Sequence, residues 1–345
     1  MSTNIVPPKR VRRRTNAAPA ELIDVLSRKV VGQNSAVRKI IPFVQMHQAG
    51  LAPEGRPVGN FLLLGPTGTG KTRTVEALAE SLHGSAKHMI RVDCGEFQME
   101  HEVAKLVGAP PGYLGHRETH PMLSQAKLAS VTTEGCDLSI VLFDEIEKAA
   151  PSMTRLLLGV LDKANLRLGD NNLVNFERSL IFLTSNLGAK SMMREMTPAF
   201  GFARNLPHSS EDQSAKLESI ATAAVRRQFS PEFLNRIDAT LTYQPLSQES
   251  LSAILNQQLV ELQNHIIQRL RDRAFRIEVP EETRRYLLSK GTSIEYGARE
   301  IKRIIHRKLS QPLAALVAEG RIPPGARIVV EIDSDRTDLE LKEAA

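Results

Sequence analysis

One short segment combines the residue types that hold phosphate. GPTGTGKT at residues 65–72 follows an apolar run at residues 61–64. In the pattern G-x-x-x-x-G-K-[ST], the glycines let backbone N–H groups converge on phosphate oxygens, and the following helix adds the positive end of its dipole. The pattern predicts that Lys71 contacts the β- and γ-phosphates of ATP and that Thr72 offers its hydroxyl to Mg²⁺. The predicted nucleotide-binding residues of this segment are Pro66, Thr67, Gly68, Thr69, Gly70, Lys71 and Thr72.

A pair of acids follows a second apolar run. Asp144 and Glu145 end the sequence SIVLFDE at residues 139–145. The carboxyl end of a strand lies at the edge of the sheet where open α/β folds bind ligands. We therefore expect Asp144 to bind the nucleotide through Mg²⁺ and Glu145 to orient the attacking water. A single acid at this place could cap a turn, but two acids beside a phosphate-binding loop favour hydrolysis over passive binding.

A third apolar run brings an amide to the same edge. LIFLTSNLG at residues 180–188 places Asn186 just after a predicted strand. An amide there can hold the water or the γ-phosphate without adding charge. Taken alone, Asn186 fits a helix-capping role equally well. The other two motifs favour the catalytic interpretation.

The elements that must position these residues follow an α/β pattern. Short apolar runs alternate with helical patterns, which indicates a parallel five-stranded sheet covered by helices. One predicted helix begins near Lys71 and ends at Gly84. After Pro245, two long helical patterns predominate, at residues 248–271 and 298–318. The strand candidates are residues 61–64, 89–92, 140–143, 180–183 and 239–243, followed by 275–279 and 326–332 beyond Pro245.

The chain divides into three predicted regions. Residues 1–19 form a disordered basic arm, residues 20–245 a large α/β domain, and residues 246–345 a smaller, mostly helical domain. The arm holds most of the excess positive charge, since five Lys or Arg residues precede the first acid, Glu21. No aromatic residue interleaves with those basic residues, so a solvated tail is favoured over a contact with nucleic acid.

Composition limits the class of protein. The 345 residues are 41% hydrophobic and 24% charged, as expected of a globular protein. The sequence lacks an apolar stretch of the roughly 18 residues that a membrane span requires, and its start lacks the apolar core of a signal peptide. Cys94 and Cys136 are far apart, which fits a reducing compartment and argues against a structural zinc site. We therefore expect a cytoplasmic protein with no membrane contact.

Seven segments, in this order, resemble the second ATPase module of the Clp family of AAA+ unfoldases, of the ClpB and ClpC type. They are VVGQNSAV at 30–37, FLLLGPTGTGKT at 61–72, KLVGAPPGYLGH at 105–116, IVLFDEIEKA at 140–149, FLTSNLGA at 182–189, FSPEFLNRID at 229–238 and YGAREIKR at 296–303. The resemblance extends over nearly the whole chain, from residue 30 to residue 332. It implies a P-loop AAA+ domain with a helical lid domain, and we expect a single-module protein. It also implies ATP hydrolysis with Mg²⁺ in a homo-hexamer that threads protein substrates through a central pore.

The same resemblance assigns roles to five further residues. Val30 and Val31 resemble the residues that line the adenine pocket, where a flat apolar base needs apolar walls. Arg236 resembles the arginine finger that a subunit offers to the ATP of its neighbour. Arg299 resembles the sensor 2 residue, which reaches the nucleotide from the small domain. Tyr113 resembles the pore-loop aromatic that grips a threaded polypeptide, and its flanking glycines fit an exposed loop.

Two features depart from the family pattern and leave alternatives open. The stretch between the predicted pore loop and Asp144 is longer than in ClpB and lacks the acidic, glycine-containing sequence that normally follows the loop. The tripeptide Phe200-Gly201-Phe202 lies where protease-binding members carry an aliphatic residue, Gly and a hydrophobic residue. It fits either a contact with a ClpP-like peptidase or packing against the domain itself.

Other functions of a nucleotide-binding fold also remain open at the level of the sequence. One is a nucleic-acid-directed AAA+ motor or loader that uses the basic arm. Another is a nucleotide switch with negligible turnover. ATPase stimulation by unfolded protein or by nucleic acid distinguishes the unfoldase from the nucleic-acid motor, and a phosphate-release assay identifies a switch with negligible turnover.

Overall fold

The computed structural model describes residues 19–108, 121–196, 210–291, 297–333 and 338–343. Its helices are α1 (Pro19–Lys29), α2 (Asn34–Gln48), α3 (Lys71–His83), α4 (Ala104–Val107), α5 (Gln125–Ser130), α6 (Pro151–Lys163), α7 (Ala189–Met196), α8 (Ser210–Gln228), α9 (Pro231–Leu234), α10 (Gln248–Leu270), α11 (Glu281–Gly291), α12 (Ala298–Ile305) and α13 (Gln311–Ala318). Its strands are β1 (Gly59–Leu64), β2 (Ile90–Asp93), β3 (Ser139–Asp144), β4 (Asn165–Arg167), β5 (Leu173–Asn175), β6 (Ser179–Ser185), β7 (Ala239–Thr242), β8 (Arg276–Glu278), β9 (Arg327–Ile332) and β10 (Leu339–Glu343). In the described part of the chain, none of the helices is both long and apolar enough to cross a membrane.

The predicted basic arm up to residue 18, Tyr113 and the tripeptide Phe200-Gly201-Phe202 lie outside the described residues. The predictions made for them therefore stay predictions.

The main sheet has five parallel strands in the order β2-β3-β6-β1-β7, which confirms the predicted fold class. Each strand overlaps a predicted apolar run. The register pairs Leu64 with Ser185 and Phe143 with Leu183, so β1, β3 and β6 end at one edge of the sheet. That edge carries the three motifs that the sequence singled out.

The apolar run of β1 is buried on both faces of this sheet. Phe61 and Leu63 pack with α1, α2 and α3 on one face, and Leu62 and Leu64 pack with α6 and α8 on the other. A strand covered on both sides has apolar residues at successive positions, because both of its faces are removed from water. The sheet is thereby held rigid between two helical layers.

The chain beyond residue 245 builds a second core. Helices α10, α11, α12 and α13 pack against the sheet β10-β9-β8, in which β8 and β9 are parallel and β9 and β10 antiparallel. Residues 298–318 are helical throughout, as predicted, and a π-helical turn at His306–Ser310 lies between α12 and α13. Pro312 follows this turn and has no N–H to donate to a carbonyl one turn earlier, so the regular helical pattern breaks there. The division of the chain at residue 245 stays a prediction.

Candidate nucleotide-binding site

A cleft lies between the phosphate-binding loop, the end of α1 and the helices α10 and α12. Among the residues that line it are most of the predicted site residues: Val30, Val31, Thr67, Gly68, Thr69, Gly70, Lys71, Thr72, Asp144, Glu145, Asn186 and Arg299. Pro66 and Arg236 are not among the lining residues. The structure therefore brings together side chains from both parts of the chain around one concave site.

Lys71 begins α3 at the bottom of the cleft. Its Nζ donates to the carbonyl oxygens of Gly65 and Pro66 at 2.6 and 2.9 Å, and to Oδ1 of Asn186 at 2.8 Å. Burial lowers the pKa of Lys71 to about 8, although the nearby carboxylates, Glu147 first, act in the opposite direction. An anionic phosphate placed beside Nζ would add to the favourable charge of these carboxylates and further stabilise the buried ammonium.

Pro66 shapes the loop instead of facing the cleft. Its carbonyl oxygen accepts from the hydroxyl of Thr69 at 2.8 Å as well as from Lys71. The loop is thus held by contacts among its own residues. Gly70, at φ 103°, turns the chain into α3.

Asp144 ends β3 and is buried at the edge of the sheet. Its Oδ1 accepts a short hydrogen bond from the hydroxyl of Thr184, and its Oδ2 accepts from Nη2 of Arg91 at 2.5 Å. Two donors therefore orient this carboxylate from both sides. Thr184 lies two residues before Asn186, and Arg91 lies on the neighbouring strand β2; the sequence analysis predicted neither.

Glu145 and Asn186 are joined by a direct hydrogen bond. Nδ2 of Asn186 donates to Oε1 of Glu145 at 3.2 Å, while Oδ1 of Asn186 accepts from Lys71. The other carboxylate oxygen of Glu145 pairs with Nζ of Lys148 at 2.5 Å. Glu147 accepts from the backbone N–H of Asn186 at 3.0 Å. This bond fixes the backbone of Asn186 and so helps to position its side-chain amide. The amide thus links the phosphate-binding lysine to the acid expected to orient water.

The donor set fits Mg²⁺. Thr72 and Asp144 both line the cleft and offer oxygen atoms, the donor type that Mg²⁺ prefers. Mg²⁺ takes few protein ligands and completes its shell with water and phosphate oxygens. Over the residues that the structure describes, no group of three or more His, Cys, Asp or Glu forms a metal cluster of its own.

The far end of the cleft has apolar walls. Val30 is buried and Val31 is half-buried, and Leu246 and Ile254 also line the cleft. Gln33, which the sequence analysis missed, joins this end to the phosphate-binding loop. Its buried side-chain amide donates to the carbonyl of Thr69 at 3.1 Å and to that of Gln244 at 2.9 Å.

Helix α12 begins directly on the phosphate-binding loop. The backbone N–H of Ala298 donates to the carbonyl of Gly68 at 3.1 Å, and Arg299 follows it into the cleft. Gly297 adopts φ 51° and ψ −138°, and a Cβ there would lie 2.9 Å from the same carbonyl oxygen. Only glycine combines this backbone conformation with so close an approach.

We expect Gly297→Ala to weaken ATP binding, because α12 must move away from the loop and take Arg299 with it. A lost hydrogen bond and a displaced cation should raise the Kd for ATP by about tenfold. Titration of the protein with a fluorescent ATP analogue measures this change. Gly320→Ala is the matched control, since Gly320 also has a positive φ, 69°, but no heavy atom within 4 Å of the added Cβ. An unchanged Kd in Gly297→Ala would contradict the assigned contact.

Arg236 lies near the amino ends of the strands, whereas the cleft of the same subunit lies at their carboxyl ends. It precedes β7, and the carbonyl of Arg236 accepts from the side chain of Asn60 near the start of β1. The phosphate-binding loop follows the other end of β1. Five residues at about 3.3 Å each separate Asn60 from Gly65, so the two sites are roughly 16 Å apart along the strand. Nη1 of Arg236 pairs with Oδ1 of Asp162 at 2.9 Å.

Sequence comparison agrees with this architecture. Residues 56–240 match the family described as AAA domain (Cdc48 subfamily), and residues 246–330 match the C-terminal, D2-small domain of ClpB protein. Chaperone protein ClpB of Lactococcus lactis subsp. cremoris is 34% identical over 324 residues, which cover 94% of this chain and 35% of the relative. Chaperone protein ClpB of Agrobacterium fabrum is 36% identical over 321 residues, which cover 93% of this chain and 34% of the relative.

A solved structure, the S. cerevisiae Hsp104:casein complex in its extended conformation, superposes with a TM-score of 0.79. It is 27% identical in sequence, and the match covers 94% of this chain and 52% of that one. The chain spans about a third of the length of the curated relatives it matches. From its phosphate-binding loop to its C-terminal helices, this chain belongs to the Clp family of AAA+ ATPases and resembles the second ATPase module of ClpB.

Proposed function

We propose that this protein is an ATP-driven unfoldase that assembles into a ring and pulls polypeptide through a central pore. The observation that carries the proposal is the division of the catalytic groups between the two ends of the parallel strands. The cleft holds the groups proposed to bind ATP and orient water, while Arg236 lies near the amino end of β1 and is not among the residues that line the cleft. A site divided in this way is completed when subunits associate.

Within one subunit, each group of the cleft has a role in hydrolysis. The loop amides and Lys71 bind the phosphates, and Glu145 orients the attacking water with Asn186 beside it. Thr72 and Asp144 would hold Mg²⁺, which neutralises charge on the phosphates when bound. Arg299 lies in the cleft, and α12, which carries it, begins on the phosphate-binding loop. Through Arg299, the state of the nucleotide therefore affects the angle of α12 relative to that loop.

A ring explains the position of Arg236. Its side chain is 37% exposed, so it is available to an adjacent subunit. An arginine supplied in trans stabilises the charge that develops on the transferred phosphoryl group. A homo-hexamer, as the family resemblance implies, is part of the proposal.

Protein is the proposed substrate. The structural neighbour is described as an Hsp104:casein complex, and the relatives are named as ClpB chaperones. The proposed grip comes from Tyr113. A location in the cytoplasm and a contact between Phe200-Gly201-Phe202 and a ClpP-like peptidase remain predictions from the sequence.

The proposal is tested by measuring phosphate release in the presence of different polymers. We expect an unfolded protein such as casein to stimulate turnover, because a threaded chain engages the ring. Single-stranded DNA, duplex DNA and RNA serve as nucleic-acid controls. Stimulation by nucleic acid with no response to casein would replace this proposal with a nucleic-acid motor.

We expect Tyr113→Ala to remove unfolding of a tagged model substrate while basal hydrolysis stays within a few-fold of the parent. Alanine loses nearly all of the apolar contact area that resists slipping, and the residue is remote in sequence from the phosphate-binding groups. Tyr113→Phe is the matched control and should keep most of the activity, since the ring is retained. Loss of substrate fluorescence during unfolding is the measurement. Equal unfolding by the parent and Tyr113→Ala would contradict the threading role.

A further inference from the structure

Asn60 is a buried amide in the middle of an apolar region. It lies on β1 with no exposed surface, next to Phe61 and Leu62. Its Nδ2 donates to the carbonyl oxygen of Leu161 and to that of Arg236, both at 2.9 Å. Burying an amide costs stability unless its polar atoms find partners; here each N–H has an acceptor, whereas Oδ1 has no hydrogen-bond partner among the described residues. The side chain therefore joins the end of α6 to the turn that carries Arg236.

The backbone of Asn60 also bonds to the segment that follows Arg236. Its N–H donates to Oδ2 of Asp238 at 2.8 Å, and its carbonyl accepts from the N–H of Asp238 at 2.9 Å. Asp238 also pairs with Arg56. One strand residue thus fixes the turn at Arg236 and again two residues later.

Asp162 directly follows Leu161, whose carbonyl oxygen is bound by the side chain of Asn60. Asn60 therefore also sets the position of the Asp162 carboxylate. That carboxylate pairs with Nη1 of Arg236 at 2.9 Å. Nε of Arg236 is buried and has no hydrogen-bond partner among the described residues. Within the described part of the chain the guanidinium is therefore held through Nη1, while 37% of the side chain stays exposed to an approaching subunit.

We propose that Asn60 and Asp162 are positioning residues, which hold Arg236 in the orientation that reaches the ATP of the neighbouring subunit. The inference rests on the proposed function, because the trans role of Arg236 belongs to it. Asn60 aligns the end of α6 with the turn that carries Arg236. Asp162 restrains the long side chain of Arg236, whose free rotation would otherwise be lost when it binds the neighbouring ATP. A single contact to Asp162 leaves further N–H donors of the guanidinium for phosphate.

The test compares turnover of assembled Asp162→Ala and Asn60→Leu rings with the parent. We expect kcat to fall by about tenfold to a hundredfold in each, as for a misplaced catalytic group. ATP affinity should stay unchanged, because neither residue lines the cleft. Asp162→Glu should recover part of the loss, since it keeps the charge. Asp162 is partly exposed, so its replacement keeps the test valid where Asn60→Leu folds poorly.

Combining each change with Arg236→Ala distinguishes positioning from general stability. We expect neither change to lower kcat further once Arg236 is absent, because both act through that side chain. Ser139→Ala is the matched control: its buried hydroxyl lies at the start of β3 and bonds to Arg178 and Ser179. This control should leave kcat unchanged in both backgrounds.

The outcomes separate this inference from the proposed function. Normal turnover in Asp162→Ala, or a further loss in the absence of Arg236, overturns the positioning role and leaves the unfoldase proposal intact. Unchanged turnover in Arg236→Ala alone overturns the trans site, and with it this inference.

Discussion

Replacing Lys71 by alanine is expected to abolish ATP binding, whereas Glu145→Gln should bind ATP and lose hydrolysis. Lys71 is the buried ammonium at the bottom of the cleft, and its removal takes away the charge that contacts phosphate. Glutamine keeps the size of Glu145 and an oxygen that can accept from Asn186, so the carboxylate that orients water is lost together with its ion pair to Lys148, while the phosphate contacts remain. Isothermal titration with ATP and phosphate release measure the two properties separately.

The control for Lys71→Ala is Lys87→Ala, because Lys87 is an exposed lysine that does not line the cleft. It should leave both binding and turnover unchanged. Equal loss of binding in Lys71→Ala and Glu145→Gln would contradict the role given to Glu145. A Glu145→Gln protein that binds ATP also serves to capture client proteins, since it is arrested before hydrolysis.

The second large effect is expected for Arg236→Ala, with turnover reduced by about 10³ or more and ATP binding intact. Binding is preserved because Arg236 lies near the amino ends of the strands and does not line the cleft of its own subunit. Turnover falls because the neighbouring site loses the cation that stabilises the transition state. Single-turnover phosphate release in assembled rings measures the chemical step directly.

Mixing experiments test whether Arg236 acts in trans. A Lys71→Ala subunit carries an intact Arg236 and can complete the site of an Arg236→Ala neighbour, so freely exchanging mixed rings should recover part of the turnover. The matched control replaces the Lys71→Ala subunit by the double variant Lys71→Ala/Arg236→Ala, which cannot donate an arginine. Absence of recovery in the first mixture would argue that Arg236 acts within its own subunit.

The sequence by itself determined the fold class and the positions of the chemical motifs. The phosphate-binding loop is contiguous, and its strand, glycines and helix start are all encoded within residues 61–72. Likewise Asp144 ends, and Asn186 follows, a strand that is apolar at successive positions because both of its faces are buried. Such signals are local, so they can be recognised without knowing what packs nearby.

Only the tertiary structure decided how residues far apart in sequence act together. Gln33 bonds to Thr69 and Gln244, and Asn60 bonds to Leu161 and Arg236, yet no local pattern marks either side chain. Each is a polar residue whose role depends on acceptors that other elements bring within hydrogen-bond distance. The position of α12 against the phosphate-binding loop is likewise set by packing. Residue type and spacing therefore predict what chemistry the chain offers, whereas the partners that orient it are fixed by contacts formed only on folding.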